Sequence, residues 1–209
     1  MRGACHRPVG DVDSPANGRT VIASVTISLD GCSAGPGGDL TGMTEQAGAP
    51  ETMTWFTGVY RNVSTALMGR TNYEGFYGYW PPVARDPDSS PRGRDLAVWL
   101  DEVEKVVFSR TLTEAEWSNA RIAEHEPAEE VAALKQAEGR DILIVNSASI
   151  IHALLEADLV DEMRLNLVPL VWGGGLRIFP DGIPRTEWGL ASSANLPGGT
   201  LGLQYRRRR

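Results

Sequence analysis

The sequence predicts an α/β fold with a mostly parallel central sheet, helices on both faces and an antiparallel hairpin at the C-terminus. Three observations carry this expectation. Strand-like and helix-like stretches alternate through most of the chain, as at residues 105–109, 127–137 and 141–145; that alternation is the pattern of parallel strands joined by crossover helices. The second half of 141–145 is apolar without interruption, as expected of a strand covered on both faces. Finally, 187–195 and 200–206 are joined by Leu196-Pro197-Gly198-Gly199 with no helix between them, which reads as a hairpin.

In order, residues 1–19 are polar and aperiodic and read as a flexible extension, leaving 20–209 as a single domain. Residues 20–29 alternate apolar and polar positions at period 2, predicting a strand with one more polar face. Residues 30–43 are too glycine-rich for regular structure and read as either a lid or a plain connection. A helix is expected within 51–62, where Met53, Trp55, Phe56, Val59 and Tyr60 form a stripe. A short strand at 65–68 and a short helix at 71–76 follow. Pro81, Pro82, Pro87 and Pro91 make 79–94 an expected irregular excursion. Then come a helix at 95–102, strands at 105–109 and 121–124, a helix at 127–137 opened by proline, the 141–145 strand, a helix at 149–156 and an alternating strand at 162–171. The turn Trp172-Gly173-Gly174-Gly175 precedes the hairpin.

Composition bounds the function. A net charge of −7 disfavours a dedicated nucleic-acid partner. The run Arg206 to Arg209 is a local exception and reads as a solvated end. No apolar run approaches the roughly 20 residues of a membrane helix, and the start has no signal-peptide core, so no membrane partner and a cytoplasmic setting are expected. Cys5 and Cys32 lie far apart, and His6, His125 and His152 form no paired spacing. No metal site is expected.

Chemistry concentrates where three apolar strands run into polar turns: Gly69-Arg70-Thr71, Ser109-Arg110 and Asn146-Ser147-Ala148-Ser149. The first and third lead into helices, whose starts offer unpaired N–H groups and the positive end of a dipole to an anion. Arginine adds a bidentate partner for phosphate. Each residue also has a plainer reading: Arg70 and Arg110 as surface cations, Ser147 and Ser149 as helix caps, Asp30 as a turn residue, Gly173 and Gly174 as a tight bend, Tyr79 and Trp80 as packing.

The ordered set of motifs resembles the dihydrofolate-reductase-like superfamily, in the branch of the C-terminal reductase domain of the riboflavin-biosynthesis deaminase-reductase. The matching stretches are Ser28-Leu29-Asp30-Gly31, LMGRTNYE at 67–74, the Tyr79-Trp80-Pro81 segment, VVFSRTL at 106–112, DILIVNSASII at 141–151 and LVPLVWGGGLRIF at 167–179. The resemblance implies the three-layer fold of that superfamily and a reductase that takes NADPH and a small-molecule substrate, pyrimidine- or pterin-like or a carbonyl or imine. It implies Gly69, Arg70 and Thr71 at the diphosphate or adenosine side, and Ser109 and Arg110 at the 2′-phosphate. Asn146, Ser147, Ala148 and Ser149 then fall at the diphosphate and nicotinamide ribose, with Gly173 and Gly174 near the cofactor. Tyr79 and Trp80 are the substrate-binding candidates, and a homodimer is expected. The same fold without turnover, binding only the nucleotide, is the alternative.

Two departures stand out. Relatives carry glycine where this chain has Asn146, at a position that favours a freely left-handed backbone. The stretch 52–62 also lacks the carboxylate that holds the pterin in dihydrofolate reductases, so folate is not the expected substrate. Protonation then comes through water or through Asp30, the candidate catalytic residue.

Overall fold

The computed structural model describes residues 18–209. Most of the expected N-terminal extension, residues 1–17, lies outside them. Its last residue, Arg19, is buried, so the folded domain already includes it.

The strands are β1 (Val21–Ile27), β2 (Cys32–Ala34), β3 (Val63–Gly69), β4 (Glu104–Phe108), β5 (Ala120–Ile122), β6 (Asp141–Val145), β7 (Glu162–Leu167), β8 (Leu176–Arg177), β9 (Glu187–Asn195) and β10 (Leu201–Arg208). The helices are α1 (Met43–Gly48), α2 (Pro50–Tyr60), α3 (Arg70–Arg85), α4 (Pro91–Glu102), α5 (Pro127–Gln136) and α6 (Ala148–Glu156). Eight strands form one sheet in the order β5-β4-β3-β6-β1-β7-β10-β9. β1, β3, β4, β5, β6 and β7 run parallel, and β10 joins β7 and β9 antiparallel.

Alternate residues of the central strands feed two separate cores. Val21, Ala23, Val25, Ile27, Leu67, Val106, Ile142 and Ile144 pack with α5 and α6 through Val131, Leu134, Ile150 and Leu154. Ile22, Ala66, Met68, Val107, Leu143 and Val145 pack with α2, α3 and α4 through Val59, Tyr73, Leu96 and Leu100. Each fully buried branched side chain contributes about 1.5–3 kcal/mol. Together the two cores are what fix the strand order.

Four sequence expectations need correction. All seven residues of β1 are buried, Ser24 and Thr26 included, because β1 lies between β6 and β7 near the middle of the sheet. The glycine-rich segment after β1 is not wholly irregular: Cys32 and Ala34 pair with Arg177 and Leu176 in a two-stranded ribbon.

The proline-rich segment is not an excursion either. α3 runs through Pro81 and Pro82 to Arg85, and α4 begins at Pro91, capped by the Ser90 hydroxyl. An interior proline costs a helix about 3 kcal/mol. Here Pro81 is buried, and Tyr73, Phe76, Tyr77 and Trp80 join the core on the same side. Tertiary packing outweighs the local penalty.

The arginine run at the C-terminus is solvated only in part: Arg206, Arg207 and Arg209 form ion pairs, while Arg208 and Arg209 stay exposed. β10 extends to Arg208; Arg207 Nε lies 2.8 Å from Asp158, and Arg209 Nη1 donates to Asp161 at 2.7 Å. Among the described residues no helix is long and apolar enough to cross a membrane.

Candidate active-site crevice

Because β1, β3, β4, β6 and β7 are parallel, their C-terminal ends share one edge of the sheet. Across that edge lie Ser109 after β4, Gly69 ending β3, Asn146 after β6, Ser28 after β1 and Val168 after β7. The chain leaves β3 through α3 on one face and β6 through α6 on the other. Neighbouring strands whose connections diverge to opposite faces open a crevice at their C-terminal ends, the usual ligand position in such sheets.

The two walls are joined by Ser147. The Gly69 amide donates to its Oγ at 2.9 Å, and the hydroxyl donates to the Val145 carbonyl at 2.9 Å. The Asn72 amide nitrogen adds a second bridge to the same carbonyl at 2.7 Å. Ser147 is therefore fully engaged in holding β3 to β6. It sits at the N-cap of α6 without capping it, and α3 likewise begins at Gly69 without a side-chain cap. Both helix starts point their free N–H groups to the strand-end edge. A Cβ on Gly69 would lie 3.7 Å from Ser147 Oγ and 4.0 Å from Ser149 Oγ, so glycine keeps the floor of the crevice low. Thr71 and Ser149 are exposed in the first turns, while Ala148 is buried against the core.

Both guanidinium groups lie at this edge. Arg70 opens α3, half exposed and loosely paired with Glu74 at 3.4 Å. Arg110 has 91% of its side chain exposed, 3.9 Å from Glu126. Ser109 accepts from the amides of Thr111 and Leu112, shaping the turn that presents Arg110. The register pairs Gly69 with Phe108, so Arg70 and Ser109 follow paired residues on neighbouring strands.

Asn146 stands in the left-handed region, φ 46°. Asparagine tolerates that geometry better than other non-glycine residues. Its Oδ1 accepts from the Thr26 amide at 3.3 Å, turning the side chain onto β1.

Asp30 lies on the far side of β1. Its carboxylate accepts from the Ser28 hydroxyl at 2.6 Å and from the amides of Trp172 and Gly173 at 3.2 and 2.9 Å. The Ser28 hydroxyl foremost, then the two amides, hold it below the usual carboxylate range despite some desolvation. Ionised and saturated with donors, it ties the loop after β7 to the end of β1. The two loops then interlock: a Cβ on Gly35 would meet the Trp172 ring at 2.5 Å, and one on Gly175, at φ 125°, would meet the Ala34 carbonyl at 2.1 Å. Gly174 faces Pro36 in the same contact.

Tyr79 and Trp80 are not brought to this edge. Nine residues at 1.5 Å rise put Tyr79 about 14 Å along α3 from Arg70. Trp80 packs on Phe76 and the core, and Tyr79 is 62% exposed beside it. Conversely, sequence reading missed Asn72, whose only signal was an amide in the first turn of a helix beside a candidate anion site. Among the described residues no group of histidine, cysteine, aspartate and glutamate is arranged to hold a metal ion.

Comparison with known proteins gives the fold its family. A model of the RibD C-terminal domain matches residues 19–201. YyaP of Bacillus subtilis (strain 168), an uncharacterized protein, is 29% identical over 189 residues, covering 90% of this chain and 94% of its own. A structure ascribed to riboflavin biosynthesis in Shewanella sp. PV-4 superposes with a TM-score of 0.70 at 22% identity, over 91% of this chain and 99% of that one. Dihydrofolate reductase from Enterococcus faecalis, complexed with NADP(H) and RAB-propyl, superposes with a TM-score of 0.58 at 16% identity, over 91% and 97%.

Proposed function

The chain belongs to the RibD C-terminal domain family, and from that premise we propose that it is an NADPH-dependent reductase acting on a small heterocyclic, carbonyl or imine substrate other than dihydrofolate. The observation that carries the reading is the pair of uncapped helix starts, α3 and α6, fastened side by side through Gly69 and Ser147.

The residues present fit the cofactor. The N–H groups opening α3 and α6 suit a diphosphate, and the missing side chain of Gly69 leaves room for close approach. Arg110, with Ser109 beneath it, suits the 2′-phosphate that separates NADPH from NADH. Arg70 suits the diphosphate or adenosine side. When bound, the cofactor supplies a hydride. The remaining work falls to the protein: Ser147 and Asn72 keep the crevice walls at fixed spacing, Asn146 sets the backbone beside β1, and the 172–175 turn closes the far end.

Asp30 serves this reading better as a positioning residue than as an acid. A carboxylate held ionised by three donors gives up no proton near neutrality, so protonation of the product falls to solvent. Asp30→Asn should lower kcat and leave the shape of the pH profile unchanged. Loss of one limb of that profile would instead identify Asp30 as the acid.

The experiment for the reaction is cofactor oxidation by the purified chain with a panel of pyrimidine, pterin and carbonyl substrates. Oxidation of NADPH in preference to NADH with one of them supports the reading. Tight NADPH binding without turnover on any of them points to a nucleotide-binding protein of the same fold.

A further inference from the structure

At the adenosine end of the crevice a carboxylate stands beside the cation assigned to the 2′-phosphate. β4 and β5 run parallel with Val107 opposite Ile122, and the Ala123 amide extends their pairing by donating to the Val107 carbonyl at 2.9 Å. The loops that follow the two strands, 109–112 and 123–126, therefore leave the same edge of the sheet side by side. Ser109 shapes the first, so that Arg110 stands out from it. In the second, Glu126 precedes Pro127, the first residue of α5. A residue before proline is confined to extended backbone, and Glu126 has φ −65° and ψ 157°. Its carboxylate lies 3.9 Å from Arg110 Nη2.

The fold makes little use of that carboxylate. It does not cap α5, whose first turn already carries Glu129 and Glu130, the latter paired with Arg121 at 2.6 Å. Among the described residues its only charged partner is Arg110, and the neighbouring His125 is turned to Glu129 at 3.3 Å. The Arg110 and Glu126 side chains are 91% and 81% exposed, and a pair so placed contributes little to stability. What it changes is the charge that a ligand meets. A phosphate monoester carries about 1.5–2 negative charges near neutrality. Bonded to Arg110 at about 2.8 Å, it would lie within about 7 Å of Glu126, inside one Debye length at physiological salt. A ribose 2′-hydroxyl in the same place is a donor, and an acidic side chain is what takes that hydroxyl in NAD-binding sheets.

We propose that Glu126 sets the cofactor preference of this chain: it repels the 2′-phosphate of NADPH and accepts from the adenosine ribose of NADH, so that NADPH is preferred by less than about tenfold. The inference rests on the reductase reading, in which Arg110 faces the 2′-phosphate, and adds a second residue of opposite sign. With NADPH the carboxylate swings from Arg110 toward solvent; with NADH it turns to the ribose hydroxyls. Neither movement disturbs the fold, since both side chains are exposed.

The test is calorimetric titration of the full chain with NADPH and with NADH, in the parent, Glu126→Gln, Arg110→Ala and Glu138→Gln. The last makes the same change in net charge beyond the far end of α5. Glu126→Gln should bind NADPH about threefold to tenfold more tightly than the parent and NADH about threefold more weakly, and Glu138→Gln should change neither. The gain for NADPH should vanish in about 1 M salt, where exposed charges are screened, while the loss for NADH, a hydrogen bond, remains. A parent preference for NADPH of tenfold or more, an unchanged preference in Glu126→Gln, or the same change in Glu138→Gln would overturn the proposal. Loss of NADPH affinity in Arg110→Ala beside an unchanged Glu126→Gln removes only the role of Glu126. Arg110→Ala without effect removes the 2′-phosphate assignment and the inference with it, and no binding of either dinucleotide removes the reductase reading itself.

Discussion

At the N-terminal end of the parallel strands, Arg19 donates to the carbonyls of Arg140 and Leu134 and to the hydroxyls of Ser64 and Thr65. At the other end of the same sheet, Arg70 and Arg110 reach only exposed carboxylates at 3.4 and 3.9 Å. The contrast extends beyond arginine. Lys105, at the start of β4, caps the C-terminus of α4, its ammonium donating to the carbonyls of Leu100 and Val103 at 2.6 and 2.7 Å and lying over the Trp117 ring. Asp161 accepts from Lys135, Arg209 and the Val21 amide. Burial pushes its carboxyl up, and those three partners bring it below the ordinary value. At the C-terminal end, two helices begin without side-chain caps. At the N-terminal end these charged side chains are all tied into the fold; at the C-terminal end Ser147 and Asp30 are tied likewise, while Arg70, Arg110 and the starts of α3 and α6 keep donors to spare.

If that division is right, stability effects should shrink and cofactor effects grow as substitutions move from one end to the other. Arg19→Met removes four hydrogen bonds, those to the Leu134 carbonyl and Thr65 hydroxyl buried, and should cost about 3 kcal/mol in urea denaturation, with NADPH affinity unchanged in the folded fraction. A large change in affinity would break the comparison.

Lys105 comes next. Burial lowers its pKa to about 8, so between that value and the ordinary lysine pKa near 10.4 the unfolded chain binds more protons than the folded one. This group alone therefore makes stability rise with pH across that window. The carbonyl partners, which favour the charged form, keep the gain below about 2 kcal/mol. Denaturation midpoints measured from pH 7.5 to 10.5 should show the rise in the parent and not in Lys105→Met.

Ser147 sits at the boundary. Ser147→Ala removes the tie between Gly69 and Val145 and should cost about 1–2 kcal/mol while also weakening NADPH, because the crevice walls separate. A loss of stability with unchanged affinity would make the serine purely structural. Arg110→Ala should have the smallest stability effect, within about 0.5 kcal/mol. Its NADPH affinity should fall roughly tenfold to a hundredfold, the worth of a charge-assisted phosphate contact, with NADH unaffected.

Much of this was legible in the sequence because local signals agreed with the fold. The apolar run of β6, Pro127 opening α5 and the Pro197-Gly198-Gly199 turn each announce their element without tertiary help. The proline-rich end of α3 was not legible, since only packing against the core makes a helix through Pro81 and Pro82 worthwhile. Nor was the burial of Ser24 and Thr26, which follows from the place of β1 in the sheet order. At the site, strand-end motifs identified the three turns, because glycine, serine and arginine there have few other uses. The bonding of Asp30 to a loop 142 residues away has no local signature.

The most direct test is amide hydrogen exchange of the full chain with and without NADPH. Slower exchange is predicted at Arg70, Thr71, Ala148 and Ser149, the first residues of α3 and α6, with no change at Val21 or Lys105. Protection at the N-terminal end of the strands, or none anywhere at saturating NADPH, would contradict the account.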